Sequence, residues 1–287
     1  MRNALTIDVE DYFQVSAFRD HVDYRDWDGF ESRVVANTRR VMDLLDEASV
    51  KGTFFVLGWV AERKPALARE IDARGHEVAC HGFSHQLIYR QSAAQFRDET
   101  ERAKKLLEDQ CGRAVRGYRA ASFSIVDSTR WALDVLAETG FEYDSSLFPV
   151  RHDLYGIDVE SAAPHRLTTS RGASLVEFPM TVRKVLGVPV PVSGGGYFRL
   201  YPLALTSALL RARGDDVPFV FYLHPWELDP EQPRIAASWK SRFRHYTNLR
   251  SCERKLRALL DRFRFAPMAS VLVEQGLIKA DPAPASP

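Results

Sequence analysis

Ala4-Leu5-Thr6-Ile7-Asp8-Val9-Glu10-Asp11 is the stretch that decides the architecture. Its first five residues read as a buried strand, and the strand runs out into acids. A doubly wound dinucleotide fold needs a glycine fingerprint at that point to let backbone approach a pyrophosphate. Carboxylates there would repel one. Gly194–Gly196 come far too late and lack the lysine of a P-loop, so nucleotide binding is set aside.

Working outward, strand-like and helix-period segments alternate. Residues 32–48 carry apolar positions 34, 41, 45 and 48 on one helical face. Residues 52–56 form the second strand, 65–74 a helix opened by Pro65 and closed by Gly75, and 77–80 the third strand. A long helix over 92–110 has Ser92 as its cap and Gly112 beyond its end. Strand 114–119, a helix over 127–139 capped by Asp127 and stopped at Gly140, and strand 141–144 follow. Residues 146–174 read as an irregular insertion. Strand 175–179, a flexible glycine loop at 193–196, a helix over 200–213 and a last strand at 218–223 complete the pattern. About seven strand–helix units predict an α/β barrel rather than an open sheet. Residues 1–230 are assigned to it, 231–279 to a helical extension packed on it, and 280–287, rich in Pro and Ala, to a disordered tail.

Composition narrows the function. Basic residues (39) and acidic ones (38) nearly cancel, so no long-range field exists to gather nucleic acid. The basic run from Arg242 to Arg264 reads as the solvated face of a helix. Three cysteines without metal-type spacing suggest reduced thiols and a cytoplasmic location. No signal peptide or transmembrane segment is expected.

The polar candidates recur at one place in the repeating unit, the C-terminal end of a strand. Asp8 and Glu10 follow the first strand, and His81 and His85 the third. Arg119 ends the fourth, Asp144 the fifth, and His224 the last. In an α/β barrel those ends converge on the face where active sites are built. Two histidines four apart, with a carboxylate, suit a divalent metal that keeps open coordination positions. Asp11 is equally placed to be a solvated neighbour or a helix cap. Ser122, Ser145 and Ser146 have no adjacent histidine base, so a serine triad is not supported.

Thr6-Ile-Asp8-Val-Glu10-Asp11, His81-Gly-Phe-Ser-His85, Arg116-Gly-Tyr-Arg119-Ala-Ala-Ser-Phe-Ser, Tyr143-Asp144-Ser-Ser-Leu and Leu223-His224-Pro-Trp226-Glu together resemble the ordered motifs of the polysaccharide deacetylases. These are the NodB-homology proteins of carbohydrate esterase family 4. The Asp-Val-Glu-Asp form and the segment around His245-Tyr-Thr-Asn248 resemble the branch that accompanies exosortase (PEP-CTERM) exopolysaccharide systems. The resemblance implies a distorted (β/α)7 barrel and hydrolysis of N-acetyl groups from hexosamine units of an oligo- or polysaccharide. It implies Asp8 as general base, Arg119 orienting it, and His224 as general acid. It implies Glu10, His81 and His85 as ligands of a divalent metal, most plausibly Zn2+. Two positions depart from the pattern: Val9 fills the usual second aspartate, so the longer Glu10 must reach the metal, and Ala121 replaces a proline. Trp226, Tyr118 and Phe123 are candidate sugar-stacking faces, and backbone N–H groups near 118–124 a candidate oxyanion site. Peripheral association with a polysaccharide synthesis or export complex would fit the same branch. Two rival readings use the same scaffold: hydrolysis of a small or cyclic amide, and a non-catalytic glycan-binding component of an export system.

Overall fold

The computed structural model describes residues 1–150, 156–212 and 216–280. In chain order the strands are β1 (Asn3–Val9), β2 (Thr53–Val56), β3 (Glu77–Cys80), β4 (Gly117–Tyr118), β5 (Tyr143–Asp144), β6 (His165–Thr168), β7 (Ser174–Glu177), β8 (Val182–Val185), β9 (Val188–Pro191), β10 (Val220–Leu223) and β11 (Phe265–Ala266). Seven of them run parallel in the order β10-β1-β2-β3-β4-β5-β7, the sheet of a distorted (β/α)7 barrel. β6 pairs antiparallel on the outer edge of β7, and β8–β9 form a separate hairpin.

Apolar residues on both faces explain why these strands are parallel and central. Every residue of β2 and β10 is buried, as sheets covered by helices require. The helices are α1 (Val34–Glu47), α2 (Gly58–Arg63), α3 (Pro65–Ala73), α4 (Ala93–Cys111), α5 (Trp131–Glu138), α6 (Gly195–Leu200), α7 (Leu203–Arg211), α8 (Trp239–Tyr246), α9 (Leu249–Leu260) and α10 (Met268–Glu274). α3 and α4 lie on β3, α5 on β7 and α10 on β1. Ser92 and Gln95 form a full capping box on α4, and Gly112 ends it in the left-handed region at φ 70°.

The seam between β7 and β10 is spanned by single residues instead of a ladder. The Val220 N–H donates to Thr181 Oγ1 at 2.9 Å, and the Tyr222 N–H to the Ser193 carbonyl at 2.7 Å. Gly194 bridges Tyr222 in parallel fashion with φ 137°, and a Cβ there would sit 1.8 Å from the Tyr222 oxygen. The glycine run expected to be a flexible loop is therefore part of the barrel closure, with α6 starting at Gly195. Glycine serves here for close backbone approach.

Three other expectations are corrected. Residues 146–174 are not wholly irregular, because His165–Thr168 pairs with Ser174–Glu177; its alternating half-exposed pattern is that of an edge strand. Residues 151–155 of that segment, Arg213 at the end of the expected 200–213 helix, and 281–287 of the tail lie outside the described residues. The 127–139 helix is split into a 3-10 turn, Asp127–Thr129, and α5. Its first cap is Thr129 Oγ1, accepting from the Val126 N–H, while Asp127 pairs with Arg130. Within 231–279, β11 lies against β1 at Asn3–Ala4, so that segment adds a strand as well as helices. α9 buries Leu249, Cys252, Leu256 and Leu259 and leaves Arg250, Arg254 and Arg257 exposed.

Candidate metal and catalytic centre

Adjacent strands bring the candidate residues together. β10, β1, β2, β3 and β4 are consecutive neighbours, and Asp8, Glu10, His81, Arg119 and His224 stand at or just past the ends of four of them. The ladder holds each one in place: the His81 N–H donates to the Val56 carbonyl at 3.0 Å, and the Arg119 N–H to that of Cys80 at 2.9 Å.

His85 arrives by a different route. The loop from His81 curls back through Gly82 at φ 73° to His85, itself at φ 54°, a conformation uncommon for a residue with a Cβ. The carbonyls of Gly82 and Phe83 accept from the Gly58 and Trp59 N–H groups, the otherwise unpaired donors at the start of α2. A Cβ on Gly58 would lie 2.6 Å from the Phe83 ring, so that close docking needs glycine. Ser84 Oγ donates to the Glu99 carboxylate on α4. Pinned from two helices, the loop sets His85 Nε2 2.8 Å from Glu10 Oε2.

Glu10, His81 and His85 offer ligand atoms that all lie within 4.8 Å of one another. His81 Nδ1 is 2.8 Å from the Arg119 carbonyl, which only accepts; Nδ1 therefore carries the proton and Nε2 keeps its lone pair for the cluster. Burial drives the His81 imidazole down to about 4, so it is neutral. Burial would raise Glu10, but the charge and hydrogen bond of His85, with His224 and His81 behind, outweigh it and hold the carboxyl at about 2. Two imidazoles and one carboxylate fit a divalent cation with open positions. Asp11 takes no part in this cluster. Its carboxylate accepts from the Arg33 and Val34 N–H groups and caps α1 across the loop.

Asp8 and Arg119 form the second unit. Arg119 is completely buried, and Nη1 donates to Asp8 Oδ1 at 2.7 Å and to Thr6 Oγ1 at 2.8 Å. Nε and Nη2 donate to the carbonyl and hydroxyl of Ser145, both at 3.1 Å, and the guanidinium lies 4.2 Å over the Phe55 ring. A guanidinium held on every side fixes one carboxylate oxygen and leaves the other to the site.

His224, expected from the sequence, belongs to a third unit whose other members, Glu227 and Arg199, the sequence reading missed. Its Nδ1 lies 2.8 Å from Glu227 Oε1, which also accepts from its backbone N–H at 3.0 Å. Arg199 Nε donates to Glu227 Oε2 at 2.5 Å, and the remaining guanidinium N–H groups go to the carbonyls of Arg244, His245 and Thr247. Burial alone would lower His224; the Glu227 hydrogen bond and the Glu10 and Glu227 charges carry it up to about 9. Burial would raise Glu227, but the Arg199 charge and the His224 contact hold it at about 2. The free Nε2 then points toward Glu10 Oε1 at 3.5 Å. A signal existed in His224-Pro-Trp-Glu227, because Pro225 opens a 3-10 turn in which side chains three apart stack on one side. Nothing local in the sequence points to Arg199 or to the carbonyls that hold it.

The aromatic candidates for sugar stacking are packing residues. Tyr118 sits edge-on to Phe96 and Phe141, Phe123 to Phe148 and Tyr222, and Trp226 is sandwiched between His224 and His245. All three are at most 6% exposed, because strand-end aromatics here turn inward. Asp144 takes no part in the Glu10–His81–His85 cluster. It accepts from Ser146 Oγ at 2.6 Å, and burial lifts it to about 6 beside Glu177, whose buried carboxyl is raised further.

The family model described as polysaccharide deacetylase matches residues 27–143, and one described as a domain of unknown function (DUF3473) matches 145–273. His81, His85 and Arg119 fall in the first, and Arg199, His224 and Glu227 in the second. The chain is 35% identical over 100 residues to a chitooligosaccharide deacetylase of Bradyrhizobium sp. (strain ANU 289), which is 35% of this chain and 43% of that one. It is 28% identical over 98 residues to a peptidoglycan-N-acetylglucosamine deacetylase of Bacillus cereus, 34% of this chain and 36% of that one. The chain thus matches less than half the length of these curated relatives. In fold it is similar to a Mycobacterium smegmatis structure described as "putative polysaccharide deacetylase", with TM-score 0.62, 22% identity, and 99% and 94% of the two chains covered. It is also similar to the allantoinase Puue, with TM-score 0.63, 16% identity, and 96% and 90% covered.

Proposed function

We propose that this chain, whose residues 27–143 match the polysaccharide deacetylase family model, hydrolyses the N-acetyl group of hexosamine units in an exopolysaccharide or its precursor. The observation that carries this reading is the meeting of three units at one barrel end: a Glu10–His81–His85 cluster, an Arg119-held Asp8 and a Glu227-held His224. Hydrolysing an unactivated amide needs all three functions, namely water activation, a base and an acid for the leaving amine.

Glu10, His81 and His85 would hold a divalent cation, zinc by the nitrogen-rich donor set, which when bound would lower the pKa of a water and polarise the acetyl carbonyl. Asp8 accepts the water's proton on its free carboxylate oxygen while Arg119 keeps the other in place. His224, protonated through its contact with Glu227, delivers a proton from Nε2 to the amine as the C–N bond breaks. Help of this kind contributes roughly 10²–10⁴-fold. The N–H groups of Ala121 and Ser122 are the oxyanion donors of this scheme, because those of Ala120, Phe123 and Ser124 are taken up by Ser146 Oγ and by the loop's own carbonyls. The products are acetate and a free amino sugar, which turns a neutral unit cationic.

No helix among the described residues is long and apolar enough to cross a membrane. Three unpaired thiols, two of them buried, support action in a reducing compartment, the cytoplasm, before export of the polymer. Peripheral contact with a synthesis or export complex belongs to the same reading.

Acetate release from N-acetylglucosamine oligomers tests it, with purified protein before chelation, after it, and after zinc is returned. Release that stops on chelation and resumes with zinc is the expected result. Protein that binds one metal per chain and releases no acetate from any acetylated glycan would overturn the reading.

A further inference from the structure

A groove of about 440 Å³ opens beside His85, a volume typical of ligand pockets. One wall comes from the segment between β1 and α1, with Phe13, Gln14, Arg19 and Tyr24; Gln86 and Arg90 stand on the other. Gln14 is 3% exposed, and its Oε1 accepts from the Asp11 N–H at 2.7 Å, which fixes the amide. Its Nε2 has no hydrogen-bond partner among the described residues, and neither has the buried Nη1 of Arg19. The nearest acid to Arg19 is Asp20, 3.5 Å from its Nε. Asp23, the acid on the groove wall, is taken up at two points by Arg25. Arg90 brings a second, exposed guanidinium.

Buried donors without acceptors are costly, and the cost is recovered when a ligand supplies the acceptors. A neutral glycan offers hydroxyl groups, which an amide or a serine would serve as well. Two guanidinium groups beside a fixed amide N–H match a carboxylate, whose two oxygens accept in the planar fork that arginine presents. Because the groove ends at His85, its occupant lies next to the reacting acetamide. We propose that this groove receives an anionic unit of the glycan: a carboxylate-bearing sugar adjoining the acetamido sugar, gripped by Gln14 Nε2, Arg19 and Arg90. The identity of the ligand as a glycan rests on the deacetylase reading.

Calorimetric titration of the zinc-supplemented full chain tests it. The probes are a tetrasaccharide alternating glucuronic acid with N-acetylglucosamine, and neutral tetra-N-acetylchitotetraose. The acidic probe is expected to bind at least ten-fold more tightly. R19Q and R90Q should each cut that preference several-fold, and together remove it. Exposed Arg90 gives a variant that keeps the fold, and a thermal unfolding midpoint checks Arg19. Equal affinity for the two probes, or a preference that survives in the double variant, would overturn the proposal. Acetate release assayed in parallel speaks only to the deacetylase reading. An arginine-dependent preference without acetate release would leave the groove assignment standing and remove that reading; release without the preference would do the reverse.

Discussion

Glu227→Gln is the most searching perturbation of the catalytic arrangement, because Glu227 reaches the reaction only through His224. The substitution keeps size and an acceptor oxygen but removes the charge shared by His224 and Arg199. A hydrogen bond to a charged group is worth about 1.5–3 kcal/mol, and about 1.36 kcal/mol corresponds to one pKa unit. Losing the charge behind that bond should lower the His224 imidazole from about 9 by about one to two units. The acid form is the active one, so activity is lost as pH rises through this value, and the variant's alkaline limb moves to lower pH. At pH 8 the protonated fraction falls by roughly two- to ten-fold, while at pH 6 it hardly changes. Looser orientation of the ring adds a pH-independent loss of about ten-fold. The assay is kcat for acetate release between pH 6 and 10, with bound metal quantified at each step. Zinc content should match the unaltered protein, since Glu227 is outside the Glu10–His81–His85 cluster. An alkaline limb that does not move, or a loss identical at pH 6 and pH 8.5, would refute the reasoning.

Four further outcomes are expected. Asp8→Asn should retain metal and lose activity by about 10²-fold or more, whereas His81→Ala should lose metal and activity together; metal analysis beside the acetate assay separates them. His76 is buried against Phe54, its Nδ1 accepts from the Gly52 N–H, and burial lowers it from 6.5 to about 4. Its stabilising contribution is therefore complete above pH 6.5. It falls as pH drops toward 4, by up to about 1.4 kcal/mol per pH unit, and His76→Phe should flatten that part of a denaturation-versus-pH curve. Gly194→Ala should cost about 1–3 kcal/mol, since φ 137° and the 1.8 Å approach to Tyr222 O both exclude a Cβ; a thermal midpoint lowered by several degrees is the readout, and an unchanged midpoint would mean the seam is not closed there.

Much of this arrangement is local information and can be read from the chain. The strand Asn3–Val9 ending in acids, the α4 span between Ser92 and Gly112, and the placing of polar residues just beyond strand ends all follow from short-range patterns. Short strands are harder to read: β4 and β5 are two residues each, because their neighbours are already loops that shape the site. The edge strand β6 hides behind its half-exposed alternation. The aromatic residues at strand ends look like ligand faces in sequence and are core in space, since periodicity does not reveal which way a side chain turns beyond the last ladder bond.

Sequence alone determined the parallel α/β architecture and the chemical types gathered at one barrel end, because a strand's residues and its flanking loop are covalently tied. Only the tertiary structure decided the partners. Asp11 caps a helix over twenty residues away, Arg119 clamps Asp8 across 111 positions, and Arg199 reaches His224 through Glu227 while held by carbonyls of the C-terminal segment. The physical reason is that a hydrogen bond or ion pair depends on distance in space. The fold sets that distance through packing between elements, and no residue spacing encodes it.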